Sequence, residues 1–188
     1  MYPLLLAGLV AIAVVGERLF WLIRFYQSRQ PAVIEKILSA AESHQWEGAE
    51  KLASSSSDPV ARVLSAGLKN REQGFENSIQ VASAIELREA ARCLSILDTL
   101  VTLAPLLGLL GTVTGIMGSF NSMGVDELAV AKVTGGIGEA LIATAAGLGI
   151  AIFCLIPLNI LSSRLASLQA DLEASATTLQ VSLQKKKN

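Results

Sequence analysis

Two threonines and one glutamate stand in stretches otherwise bare of charge. Thr112 lies within Thr99 to Val125, 27 residues without a charged side chain, and Thr144 lies between Lys132 and Arg164, where Glu139 is the one charge. A hydroxyl donates and accepts hydrogen bonds without itself becoming charged, and an ionisable group in an apolar stretch of this length marks a candidate ion path. Glu139 is therefore the candidate for an ion path, and Thr112 and Thr144 bring hydroxyls into the same kind of apolar stretch. Small residues surround them: Gly108, Thr112, Gly115 and Ser119 follow at spacings 4, 3 and 4, and Ala140, Thr144, Gly147, Ala151 and Cys154 at 4, 3, 4 and 3. Each set shares one helical face. Two such faces can line one cavity, which makes Gly108, Gly115, Ser119, Ala140, Gly147 and Ala151 candidate pore-lining residues. They serve as well for close helix packing, since Gly111 to Gly115 is a GxxxG and membrane threonines often bond their own backbone; the faces alone favour packing. Glu139 divides evenly between a path carboxylate and a residue in the first turn of a helix opened by Thr134 to Gly138, where the macrodipole favours negative charge. Five residues separate it from Thr144, about 140° of helix, so both line one lumen only if that lumen is wide or the helix distorted.

The rest of the composition excludes other chemistries. Of 188 residues, 52% are hydrophobic and 16% charged, and mean hydropathy is +0.51, the profile of a membrane protein. Fifteen basic against 16 acidic residues give no surplus for nucleic acid. A single histidine, His44, leaves no zinc site or hydrolase triad, and no GxGxxG or Walker pattern appears, so neither cofactor, metal nor enzymatic activity is expected. Cys93 and Cys154 read as free thiols.

The elements that must position these residues are membrane helices. About 20 apolar residues cross a bilayer, and three stretches qualify, giving an all-α integral membrane protein. Transmembrane helix 1 takes residues 1–23, a cytoplasmic helical region 24–97, transmembrane helix 2 98–121, a short outer loop 122–134, transmembrane helix 3 135–163, and an amphipathic helix with a basic tail 164–188. The basic residues of the first segment follow its apolar run at Arg18, Arg24 and Arg29, so it reads as a span and not a cleaved leader. It begins almost at Met1, which leaves no outer N-terminal segment. Arg18, Arg24, Arg29, Lys36, Arg88, Arg92, Arg164 and Lys185 to Lys187 flank one side and Lys132 the other, predicting N-terminus out and C-terminus in. Phe20, Trp21, Phe25 and Tyr26 form an aromatic belt there, and Glu17 with Arg18 snorkels to the interface. Pro31 to Leu52 reads as helix, broken by Ser54 to Pro59. A helix from Phe75 is predicted to run without interruption into the second span. Leu165, Leu168, Leu172, Ala176, Leu179 and Leu183 extend the third inward as an amphipathic stripe. His44 and Trp46 read as surface and packing residues.

The segments Ala104-Pro-Leu-Leu-Gly-Leu-Leu-Gly-Thr-Val-Thr-Gly-Ile-Met117 and Gly138-Glu-Ala-Leu-Ile-Ala-Thr-Ala-Ala-Gly147 resemble the ExbB/TolQ/MotA proton-channel family, its ExbB/TolQ branch above all. The long first cytoplasmic loop and tiny outer loop match too, so the resemblance covers nearly the whole chain; MotA-type proteins have four spans. It implies a homopentamer in the bacterial inner membrane around the helix of an ExbD- or TolR-like single-span partner carrying a membrane aspartate, with a TonB- or TolA-like protein beyond. The implied role is a stator subunit that uses the proton motive force to energise transport or envelope processes at the outer membrane. Thr112 and Thr144 would be the polar lumen residues and Glu139 the glutamate of the third span. The competing class is a non-conducting scaffold that recruits partners through its cytoplasmic helices. A secondary transporter lacks the inverted repeats and broken helices that class needs, and a membrane enzyme lacks a clustered nucleophile and base.

Overall fold

The computed structural model describes residues 2–121 and 128–185; among them no strand occurs. Seven helices follow in order: α1 (Tyr2–Ser28), α2 (Pro31–Glu42), α3 (Trp46–Ser55), α4 (Pro59–Lys69), α5 (Phe75–Ala90), α6 (Leu94–Asn121) and α7 (Leu128–Lys185). Three helical stretches, Tyr2–Ser28, Phe75–Phe120 and Thr134–Gln184, are long and apolar enough to cross a membrane. Residues 122–127, the first half of the expected outer loop, and the tail from residue 186 lie outside the described residues.

The chain divides into two units, the first comprising residues 1–20 and 93–160. Its polarity is the reverse of a water-soluble bundle: small side chains face inward and large apolar ones outward. On α1 the buried face is Leu4, Ala7, Ala11, Val15 and Arg18, while Leu5, Leu6, Leu9 and Ile12 stand exposed. On α6 and α7 the outward set includes Leu106, Leu110, Met117, Leu141, Ile142, Ile152 and Ile156. Such a continuous apolar exterior is stable only against lipid.

Arg18 differs from the snorkelling expectation. Its side chain is 1% exposed, with Nε and Nη2 donating to Glu17 at 2.5 and 2.7 Å. The cause is register: Arg18 follows Ala7, Ala11 and Val15 on one stripe, so the inward face carries it inside.

The second unit comprises residues 21–92 and 161–188 and has an ordinary apolar core. At its centre is α4, from which Val60, Ala61, Val63, Leu64 and Leu68 are buried among Ile37, Ala41, Ala49 and Ala53, together with Leu168, Leu172 and Leu179 of α7. Asp58 starts α4 as N-cap, accepting from Val60 N–H at 2.8 Å, with Pro59 in the first turn. The same carboxylate accepts Gln30 N–H at 2.6 Å and lies 3.7 Å from Arg29 Nε, while Arg29 Nη2 also donates to Asp171. One buried aspartate thus joins the end of α1, the start of α2 and the start of α4.

Two breaks fall where apolar periodicity runs on. His44 has φ 59°, its N–H bonds to Ala41 O, and Gln45 N–H bonds to Ala40 O; this Schellman cap ends α2 and splits Pro31 to Leu52 into two helices. Cys93 has φ 61° and separates α5 from α6, so the helix from Phe75 is interrupted before the second span. Neither residue is glycine, and a stripe of period 3.6 does not register a single left-handed residue.

Candidate functional site

The site is the contact of α6 with α7 inside the first unit. Its geometry follows from residue size. A Cβ placed on Gly147 would lie 2.5 Å from Ala104 O and 3.1 Å from Gly108 Cα, and one on Gly108 would lie 3.0 Å from both Ala143 O and Thr144 Cα. Further along, Cβ atoms on Gly111 and Gly115 would come within 2.9 Å of Ala143 Cβ and Ala140 Cβ. The two small faces therefore oppose each other: the backbones approach to a distance that glycine alone allows.

Thr144 uses that approach. Its Oγ1 donates across the contact to Gly108 O at 3.0 Å, the carbonyl that a regular helix pairs with Thr112 N–H. Thr112 Oγ1 donates to Leu109 O at 2.7 Å. Both threonines are half-buried, and each keeps its acceptor lone pairs after donating its one proton. Ser119, buried, donates to Gly115 O at 2.8 Å. Gly108, Ala140, Gly147 and Ala151 are buried and Gly115 half-buried; within one chain Gly108, Gly115, Ala140 and Gly147 face the opposite helix of this pair.

Glu139 is exposed, eleven residues after Leu128 within α7. That depth removes the first-turn setting, because a macrodipole acts within about the first turn. It neighbours Ala140 in sequence and so points about 100° away from the residue that meets Gly115. The structure thus unites Thr144, Gly108 and the Thr112 turn at one contact and leaves Glu139 on a separate flank. Cys93 and Cys154 are free thiols. Among the described residues no three His, Cys, Asp or Glu side chains form a group able to hold a metal ion.

The pairing of Thr144 with Gly108 escapes spacing analysis, since spacing orders residues along one helix and carries no register between two. The signal that was available is the pair of matched 4-3-4 small faces.

Comparison with known proteins bears on the same segments. The profile of the MotA/TolQ/ExbB proton channel family matches residues 55–174. The biopolymer transport protein ExbB-like 1 of Synechocystis sp. is 36% identical over 179 residues, covering 91% of this chain and 69% of that protein. The Tol-Pal system protein TolQ of Pseudomonas aeruginosa is 32% identical over 184 residues, covering 86% and 79%. The biopolymer transport protein ExbB of Neisseria gonorrhoeae is 40% identical over 96 residues, covering 50% and 44%.

Proposed function

Because the chain belongs to the MotA/TolQ/ExbB proton channel family, in its ExbB/TolQ branch, we propose that this multi-pass membrane protein is the channel and stator subunit of a bacterial inner-membrane motor. Five copies enclose the helix of an ExbD/TolR-like single-span protein, and proton flow through the assembly energises transport or envelope processes at the outer membrane, with a TonB- or TolA-like protein as recipient. The observation that carries the reading is the Thr144 hydroxyl bonded across to Gly108 O, beside Thr112, in a segment without a carboxylate. A relay through such a segment needs a titrating group from elsewhere, and a membrane aspartate on the partner supplies it. That aspartate takes a proton from outside, passes the threonine-bearing zone neutralised, and releases the proton inside; Glu139 serves the outer approach. Each elementary charge falling through 100 mV releases about 2.3 kcal/mol, enough for stepwise conformational work.

The test is to co-purify the chain with the product of its neighbouring single-span gene, weigh the complex, and record proton flux in liposomes under an imposed potential. Five copies enclosing partner helices, with flux abolished by a partner Asp→Asn change, are expected. A stable assembly of this chain without partner and without flux overturns the motor.

One observation favours the scaffold as second reading: the small faces are occupied by each other. It predicts that Glu139→Gln leaves every output unchanged.

A further inference from the structure

A cavity of about 450 Å³ in the second unit lies between the end of α1, the start of α4 and the last turns of α5, within the range of about 300 to 1,000 Å³ typical of ligand sites. Trp21 and Phe25 form one wall, their rings stacked 5.0 Å apart. Trp21 follows the apolar run of α1, and Leu168, which also lines the cavity, is one turn beyond Arg164, the first charge after the apolar run of α7. Both helices therefore put the cavity at the level where hydrocarbon gives way to headgroups, and aromatic side chains favour that level.

The charges of the cavity are balanced and only half of them are held in a close ion pair. Arg62 donates to Glu86 from Nε at 2.8 Å and from Nη2 at 2.6 Å, and its Nη1 donates to Ser57 O at 3.1 Å. This fork makes a neutral, fixed wall. Arg24 and Glu89 line the same space; both are exposed, Glu89 acts on Arg62 only at longer range, and neither forms an ion pair with a described residue. A cation and an anion left open in one cavity at headgroup depth match a ligand that carries both signs a few bonds apart.

We propose that this cavity binds the headgroup of a zwitterionic phospholipid with a primary ammonium, phosphatidylethanolamine, its phosphate on Arg24 and its ammonium on Glu89. The primary ammonium gives Glu89 N–H donors, which the quaternary ammonium of phosphatidylcholine lacks, and an anionic phosphatidylglycerol headgroup leaves Glu89 unmatched. Bound lipid would tie α1, α4 and α5 together where the first span meets the water-facing helices. The inference rests on the chain crossing a membrane and not on proton transport, so the two readings stand or fall separately.

The chain is incubated with vesicles of equal parts phosphatidylethanolamine, phosphatidylglycerol and phosphatidylcholine with matched acyl chains, repurified in detergent, and its retained lipid quantified by mass spectrometry. Phosphatidylethanolamine should be enriched at least about tenfold over each of the others, the effect of one charge-assisted hydrogen bond. Glu89→Gln should erase the preference over phosphatidylcholine, Arg24→Gln should lower total retention, and Glu89→Asp should keep the preference, all with unchanged oligomer mass. Equal retention of the three lipids, preference for phosphatidylglycerol, no retained lipid, or an unaltered ratio in Glu89→Gln would each overturn the assignment.

Discussion

Thr144 carries two roles that a single substitution separates. Thr144→Val keeps the volume and removes the donor to Gly108 O. Hydrogen bonds between membrane helices contribute about 0.6 kcal/mol on average, so the structural loss should be small: assembly and melting midpoint stay near wild type. If the hydroxyl relays protons, flux under an imposed potential should fall at least about a hundredfold, the scale on which positioned proton-transfer groups act. Thr144→Ser, which keeps the hydroxyl, should restore it. Equal flux in Thr144→Val and wild type would assign the residue to packing. Glu139→Gln belongs to the same experiment, with lost flux expected for the path role and none for the scaffold. At this scale the sequence was informative about residue type and face and silent about partner. It put Thr112 and Thr144 on small faces, whereas the Gly108 carbonyl opposite Thr144 depends on how far α7 slides along α6. The alternative of Glu139 in a first turn failed because α7 is already helical at Leu128.

Helix approach is tested at glycines that differ only in what lies beside them. Gly147→Ala places a methyl 2.5 Å from Ala104 O, backbone against backbone, and α7 must move away from α6. About 1 to 3 kcal/mol of destabilisation is expected, as for other overpacked contacts, read from denaturant unfolding in detergent, and Thr144 would lose its reach to Gly108 as a secondary effect. Gly149→Ala, with nothing within 4 Å of the added carbon, should be neutral or stabilising by up to about 1 kcal/mol. Similar costs at both positions would contradict the packed contact. The start of α4 is the corresponding test in the second unit. Asp58→Ala strands the N–H groups of Val60 and Gln30 and leaves Arg29 without that carboxylate; about 3 kcal/mol should be lost, visible as a lower thermal midpoint and earlier proteolysis between α1 and α4. In the sequence the Asp58-Pro59 step was legible as a break between helices, and the structure adds that Asp58 caps the second of them. The cap at His44 and the turn at Cys93 were not announced, because the left-handed region is ordinarily filled by glycine or asparagine.

At the scale of the whole molecule, the apolar exterior of the first unit and the conventional core of the second require different solvents, and the distribution of basic residues predicts a cytoplasmic setting for the second. Cationic side chains are retained on the cytoplasmic side during insertion, and Arg24, Arg29, Lys36, Arg88 and Arg92 all belong to the segment between the first two spans. The orientation this implies is checked with single cysteines in a Cys93→Ser, Cys154→Ala background. Tyr2→Cys, at a position 88% exposed, should react with a membrane-impermeant maleimide on intact spheroplasts. Gln73→Cys, in the exposed turn between α4 and α5, should react only after permeabilisation. The opposite pattern would put the second unit outside and reverse the direction in which the threonines meet an incoming proton. It would also remove the rationale for a cytoplasmic recruiting surface, which the scaffold reading uses. Labelling of both positions on intact spheroplasts would mean that the first stretch does not span, and the charge asymmetry around it would then have no bearing on topology.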